Sequence, residues 1–114
     1  MAETYTTGMW SAKAGEEREF VQAWQEFASW ASGMPGVGTL RLTRDVTEPS
    51  RFLSFAPWES LEAIHSWKAS PEFKERIGRV KAHVDDFTAW ELELETAVGG
   101  GAYAPGEPEP LSTT

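Results

Sequence analysis

The sequence FLSFAPWESLEA occupies residues 52–63 and contains the boundary between a strand and a helix. Up to Trp58 the residues alternate as in a strand, with Phe52 and Trp58 on one side and Phe55 on the other. Ser60 then stands where a helix N-cap is expected. A strand that is apolar on both faces needs cover on both faces. We therefore expect helices on one side of the sheet and a partner subunit on the other.

Three predicted elements precede this segment. Residues 4–13 alternate in character, which predicts a first strand. Residues 16–33 begin with acidic side chains, carry apolar residues at helical spacing and end at a glycine, which predicts a helix. Residues 36–46 alternate again and predict a second strand.

Two further elements follow it. Ser70 and Pro71 suit a helix cap and a first helical position, so they predict a break in the second helix. The apolar spacing then continues to Val84, and residues 85–95 alternate as a last strand. The order β-α-β-β-α-β predicts an α+β, ferredoxin-like unit with an antiparallel sheet.

Composition divides the chain of 114 residues into two parts. Residues 1–97 have the length and patterning of one domain. Residues 98–114 are rich in Gly, Pro and Glu and predict a flexible or extended tail.

Charge and cysteine usage exclude several functions. The net charge is −8, from 18 acidic and 10 basic residues, and it disfavours binding to nucleic acid. No cysteine is present, so thiolate metal sites and thiolate nucleophiles are excluded, and a reducing compartment is favoured. No signal peptide or membrane-spanning run is visible, and we expect a cytoplasmic protein with no membrane partner.

The segment 52–63, followed by Ser70, Pro71, Glu72 and Phe73, resembles the strand-Trp-helix signature of the antibiotic biosynthesis monooxygenase family. With the order of elements, the resemblance covers about residues 4–96. It implies a homodimer in which two sheets pack face to face as a dimeric α/β barrel. The strand that is apolar on both faces predicts the same pairing independently.

The resemblance implies two possible kinds of enzyme. One kind oxidises anthrone-like or quinol-like aromatics with O₂ and no cofactor, using an Asn four residues before the strand-end Trp and a Tyr six residues after it. Trp58 matches, whereas Ser54 and Ile64 occupy the other two positions. The other kind binds and degrades haem. Trp67 matches its helix Trp, but Ile77 stands in place of its His, so haem is not supported there.

Two residues are candidate catalytic groups. His65 flanks the apolar stripe of the second helix, from where it can point into a cavity and act as a general base. Trp58 can donate its indole N–H to a substrate oxygen or to O₂. Structural roles are equal alternatives for Trp58 and for the two histidines, His65 and His83. With only these histidines and no metal-ligand spacing, no zinc or iron site is predicted.

Five residues are candidates for substrate binding, as aromatic or polar walls of the same pocket, although core packing or solvation is an alternative for each. They are Trp67, Phe73, Ser54, Trp24 and Arg76.

These features favour a cofactor-independent monooxygenase that oxidises an electron-rich aromatic substrate, such as a polyketide, an anthrone or a quinol, with O₂. Two alternatives use the same pocket. One is a non-enzymatic dimeric module that binds a small molecule or haem, and the other is a cyclase-type polyketide tailoring enzyme. The fold by itself does not decide among them.

Overall fold

The computed structural model describes residues 3–101, and its elements follow the predicted order with the second helix broken in two. The elements are β1 (Thr4–Ala12), α1 (Glu17–Ala31), β2 (Arg41–Arg44), β3 (Arg51–Trp58), α2 (Leu61–Ala69), α3 (Pro71–Lys81) and β4 (Val84–Glu93). Residues 98–101 form no helix or strand, and the rest of the predicted tail lies outside the described residues, so the boundary after residue 97 stays a prediction. Within residues 3–101, no helix combines the length and apolar character that crossing a bilayer requires.

The strands form one antiparallel sheet in the order β2-β3-β1-β4. β1 lies inside the sheet and pairs along most of its length with both β3 and β4. Gly8 on β1 is opposite Ser54 on β3 and Ala89 on β4. The predicted ferredoxin-like α+β fold with an antiparallel sheet is therefore confirmed.

The second strand is shorter than the predicted residues 36–46 and consists of Arg41–Arg44. Upstream of it, Val37 makes only an isolated bridge to Trp58, and the Gly38 N–H donates to the Pro57 carbonyl at 2.8 Å. Pro57 has no N–H to donate, so the ladder loses one of its bonds there. A Cβ on Gly38 would lie 2.6 Å from the Pro57 ring, so only glycine allows this close approach.

The break between α2 and α3 occurs at the predicted residues. Ser70 is extended, with φ −69° and ψ 145°, and its Oγ accepts a hydrogen bond from the Phe73 N–H. Pro71 begins α3 and needs no N–H there. The helix ends earlier than its apolar spacing indicated, because Val84 is the first residue of β4, opposite Ala12. Val84 still packs against the core from the strand, which explains why it fits the helical spacing.

The core lies between the helices and one face of the sheet. Phe20 on α1 is fully buried between Trp10 and Phe52, with ring centroids 5.4 Å and 4.8 Å away. Ile64 on α2 and Val80 on α3 are also fully buried. The apolar stripes predicted on the helices thus form a single core against the even-numbered residues of β1 and β3.

No helix within residues 3–101 covers the opposite face of the sheet. Leu53, Trp90 and Leu92 lie on this face and are 43%, 44% and 46% exposed. Leu53 lies on β3, and Trp90 and Leu92 lie on β4, the two strands that flank β1. Large exposed apolar side chains on one face of a sheet form a patch of the kind that commonly marks a protein interface. We call Leu53, Trp90 and Leu92 the open-face patch.

We predict that Phe20→Ala lowers the free energy of unfolding by about 3–5 kcal/mol, because it leaves a cavity between Trp10 and Phe52. Urea unfolding followed by tryptophan fluorescence measures the change. Val46→Ala is the control, since Val46 is 92% exposed and should change stability by less than about 0.5 kcal/mol. Equal effects of the two substitutions would contradict the assignment of Phe20 to the core.

Candidate functional site

A cavity of about 210 Å³ lies between the helix-facing side of the sheet and helices α2 and α3. β1, β3 and β4 contribute its floor, and α1, α2 and α3 contribute its walls. Two of its lining residues, Lys81 and Ala89, are exposed and mark its mouth beside the edge strand β4. A dry cavity of about 150 Å³ can hold benzene, so this one has room for a small aromatic ring system.

Aromatic side chains form the inner wall of the cavity. Trp67 on α2 and Phe73 on α3 meet with centroids 4.8 Å apart and planes at 84°. Phe27 on α1 approaches both rings, and Trp24 lines the cavity from the same helix. The helix break at Ser70 makes this wall possible, because it redirects the chain so that Phe73 faces Trp67.

The floor of the cavity is a hydrogen-bonded part of the sheet. The Trp10 indole N–H donates to Ser54 Oγ at 2.9 Å, and Trp10 also stacks on Phe87 at 4.0 Å. A Cβ on Gly8 would lie 3.1 Å from Phe87, Ser54 Oγ and Trp10 Nε1, so glycine leaves these three groups undisplaced. The Ser54 hydroxyl therefore holds the Trp10 ring in place, and Ser54 also lines the cavity itself.

Trp58 lies behind the cavity rather than in its lining. Its ring is 4% exposed and packs at 4.8 Å from Trp67. Its indole N–H donates to Thr6 Oγ1 at 3.0 Å, and Thr6 does line the cavity. The donor that the sequence suggested for a substrate oxygen is thus bound to a protein hydroxyl, and Thr6 lines the cavity in place of Trp58.

His65 faces away from the cavity, contrary to the expected direction. Its side chain is 61% exposed, and Nε2 lies 3.0 Å from Glu91 Oε1. Lys68 Nζ contacts the other oxygen of Glu91 at 3.1 Å. Ile64 occupies the core-facing position, so the next residue is rotated by about 100° towards solvent.

His83 and Arg76 also lie outside the cavity lining. His83 Nδ1 is 3.0 Å from Glu16 Oε1, which joins the end of α3 to the start of α1. The Arg76 guanidinium lies 5.2 Å over the Trp30 ring. Because neither histidine lines the cavity, its residues offer no imidazole to a haem iron, and within residues 3–101 no three metal-ligating side chains cluster.

The structure brings four of the predicted site residues together and adds others that the sequence analysis did not single out. Trp67, Phe73, Ser54 and Trp24 line the cavity. The most informative additions are Lys68 and Lys81, the only charged residues of the described range 3–101 that line it. The sequence does place Lys81 on the same helix face as Phe73 and Ile77, because the three residues are four positions apart. A lysine on an amphipathic helix is usually solvated, so this spacing alone does not predict a cavity residue.

The chain is similar in sequence to known proteins. A sequence model of the family described as antibiotic biosynthesis monooxygenase matches residues 5–79. A protein described as a 42.8 kDa protein in the whiE locus of Streptomyces coelicolor is 26% identical over 94 residues, which are 82% of this chain. The chain spans only 24% of that relative's length.

Solved structures show the same fold. A crystal structure from Deinococcus radiodurans, described provisionally as an antibiotic biosynthesis monooxygenase, has a TM-score of 0.77 and 23% identity over 87% of this chain and 99% of that one. SnoaB, described as a cofactor-independent oxygenase from Streptomyces nogalater, has a TM-score of 0.72 and 17% identity over 87% of this chain and 97% of its own. At 23% and 17% identity, these comparisons show a shared fold and nothing further.

The contacts beside the cavity predict a pH-dependent contribution to stability. Hydrogen bonds from His65 and Lys68 hold the pKa of Glu91 below its ordinary value of 4.5. A carboxyl group whose pKa is lower in the folded than in the unfolded protein stabilises the fold at any pH above its pKa in the unfolded chain. This stabilisation is lost as the pH falls through its pKa in the folded protein. Between about pH 6 and about pH 3, Glu91→Gln should therefore lose less stability than the original chain.

Urea unfolding at a series of pH values measures this difference. Glu93→Gln is the control, because Glu93 lies on the same face of β4 and takes part in no ion pair within residues 3–101. If Glu91→Gln and Glu93→Gln showed the same pH dependence, the ion pairs of Glu91 would contribute nothing.

Proposed function

This chain belongs to the antibiotic biosynthesis monooxygenase family, and we propose that it oxidises an electron-rich aromatic compound with O₂ without a cofactor. The observation that carries the proposal is the cavity of about 210 Å³ walled by Trp24, Trp67 and Phe73. An aromatic wall of this kind suits a planar ring and keeps water from it. The description of SnoaB as a cofactor-independent oxygenase supports the same reaction class.

The proposed chemistry makes modest demands on the protein. The ionised substrate passes one electron to O₂, the substrate radical and superoxide combine to a peroxide, and the peroxide loses water to leave a carbonyl. For an anthrone, a ring CH₂ and O₂ become a C=O and one H₂O, so the substrate supplies all the electrons that O₂ accepts. The protein contributes a dry site and donors for the developing negative charge.

Thr6 and Trp58 are the proposed source of one such donor. The Trp58 N–H occupies a lone pair of Thr6 Oγ1 at 3.0 Å, which leaves the Thr6 O–H to donate into the cavity. In this arrangement Trp58 is a positioning residue that acts through Thr6. His65 does not line the cavity and contacts Glu91 instead, so it is not included as the base, and the substrate proton leaves to water at the mouth.

Oxygen consumption with an anthrone or a quinol tests the proposal. We expect product under air, none above background under argon, and a loss of more than about tenfold for Ala89→Trp, which fills the mouth of the cavity. Ala69→Trp is the matched control, because Ala69 is exposed on α2 outside the lining.

The alternatives predict different results from the same experiment. Tight binding of the aromatic compound without oxygen consumption would indicate a non-enzymatic binding module instead of an oxygenase. Ring closure without oxygen consumption would indicate a cyclase. A cytoplasmic location is also part of the proposal, because a cysteine-free sequence suits a reducing compartment.

We also propose that the chain forms a homodimer through the open-face patch. Its three residues would be covered if two sheets pack face to face at the usual spacing of about 10 Å. The removal of this apolar area from water stabilises a dimer of a domain too small to bury all its apolar surface alone.

Light scattering after size exclusion should therefore give twice the 12.7 kDa of one chain. Leu53→Asp places a charge within the patch and should shift the mass to that of one chain. Val46→Asp, at a position that is 92% exposed outside the sheet, should leave the dimer intact. A monomeric original chain would refute the pairing.

A further inference from the structure

The charge of the cavity is opposite to that of the chain. The sequence has 18 acidic and 10 basic residues, yet the charged residues that line the cavity are both lysines, Lys68 and Lys81. Among the residues that the structure describes, no aspartate, glutamate or histidine lines the cavity. The mouth of this apolar cavity is therefore locally positive in a protein with a net charge of −8.

The two lysines differ in how their charge is used. Lys68 Nζ already contacts Glu91 at 3.1 Å. Lys81 Nζ lies 5.6 Å over the Phe87 ring, and within residues 3–101 it forms no ion pair. Phe87 itself lines the cavity and stacks on Trp10. Lys81 is thus an ammonium group held at the mouth over an aromatic ring, with no carboxylate of the described residues in ion-pair contact.

A cavity with an aromatic interior and a cationic mouth favours an aromatic ligand that carries a negative charge. A neutral ring would gain only the apolar contacts, whereas a ring with an anionic oxygen also gains a charge-assisted hydrogen bond beside a low-dielectric wall. We infer that the cavity binds its aromatic ligand as the phenolate or enolate, with the anionic oxygen on Lys81.

The inference rests on the proposed oxygenase function, because it identifies the form of the substrate that reacts with O₂. Ionisation of the phenol or enol releases the electron density that O₂ accepts. A site that prefers the anion lowers the pKa of the bound substrate and so replaces a dedicated base. This role accounts for a reactive cavity whose lining contains neither a histidine nor a carboxylate.

Titration of bound 4-nitrophenol, whose phenolate absorbs visible light, tests the inference without any oxidation. We expect the site to bind phenolate about tenfold more tightly than phenol, which lowers the apparent pKa of the bound ligand by about one unit. Lys81→Met keeps the side-chain stem on Phe87 and should abolish this preference. Lys81→Glu should reverse it, and Lys68→Met should reduce it less, since Glu91 already shares that charge.

Lys74→Met is the matched control, because Lys74 is exposed on α3 and does not line the cavity. An unshifted pKa, no binding of either form, or equal shifts in Lys81→Met and Lys74→Met would each overturn the inference. The oxygenase proposal fails separately, through absent oxygen consumption with an anthrone. A shifted pKa without that consumption would leave anion binding intact and remove only the reaction.

Discussion

The position of Trp10 connects the fold of this protein to its cavity. Its indole N–H is bound to Ser54 on the neighbouring strand, while its ring stacks on Phe87 on one side and contacts Phe20 in the core on the other. One buried side chain therefore joins β1, β3, β4 and α1. Because a buried indole N–H without a partner costs free energy, the Ser54 hydroxyl is committed to Trp10 and shapes the cavity floor.

The apolar residues on the two faces of the sheet have different roles. On the helix side, apolar burial builds the core and leaves the cavity beside α2 and α3, where the chain restarts at Ser70. On the other side, the open-face patch stays exposed in the single chain. The same alternation of side chains thus produces a closed interior and an unpaired surface, and dimerisation is the proposed use of that surface.

The polar groups around the cavity explain how it can suit an oxidation with so few reactive residues. Ser54 and Trp58, which stand at two positions of the family signature, both form hydrogen bonds within the protein. His65 and Glu91 form contacts at the outer surface. What remains inside is an aromatic wall, hydroxyl groups and two lysines. Such a lining favours the stabilisation of a substrate anion over proton abstraction by the protein.

The sequence by itself determined the order of elements, the helix break at Ser70, the two-faced third strand and the family, because alternation, capping and turn residues act over a few neighbouring positions. It also indicated four residues that line the cavity. Trp24, Trp67 and Phe73 were visible as aromatic side chains at helical spacing, and Ser54 followed from the family resemblance. Only the tertiary structure decided that His65 pairs with Glu91, that Trp58 donates to Thr6 and that Lys81 reaches the mouth. Those contacts join residues 26 to 52 positions apart, or depend on a ring from another element, and local periodicity does not specify them.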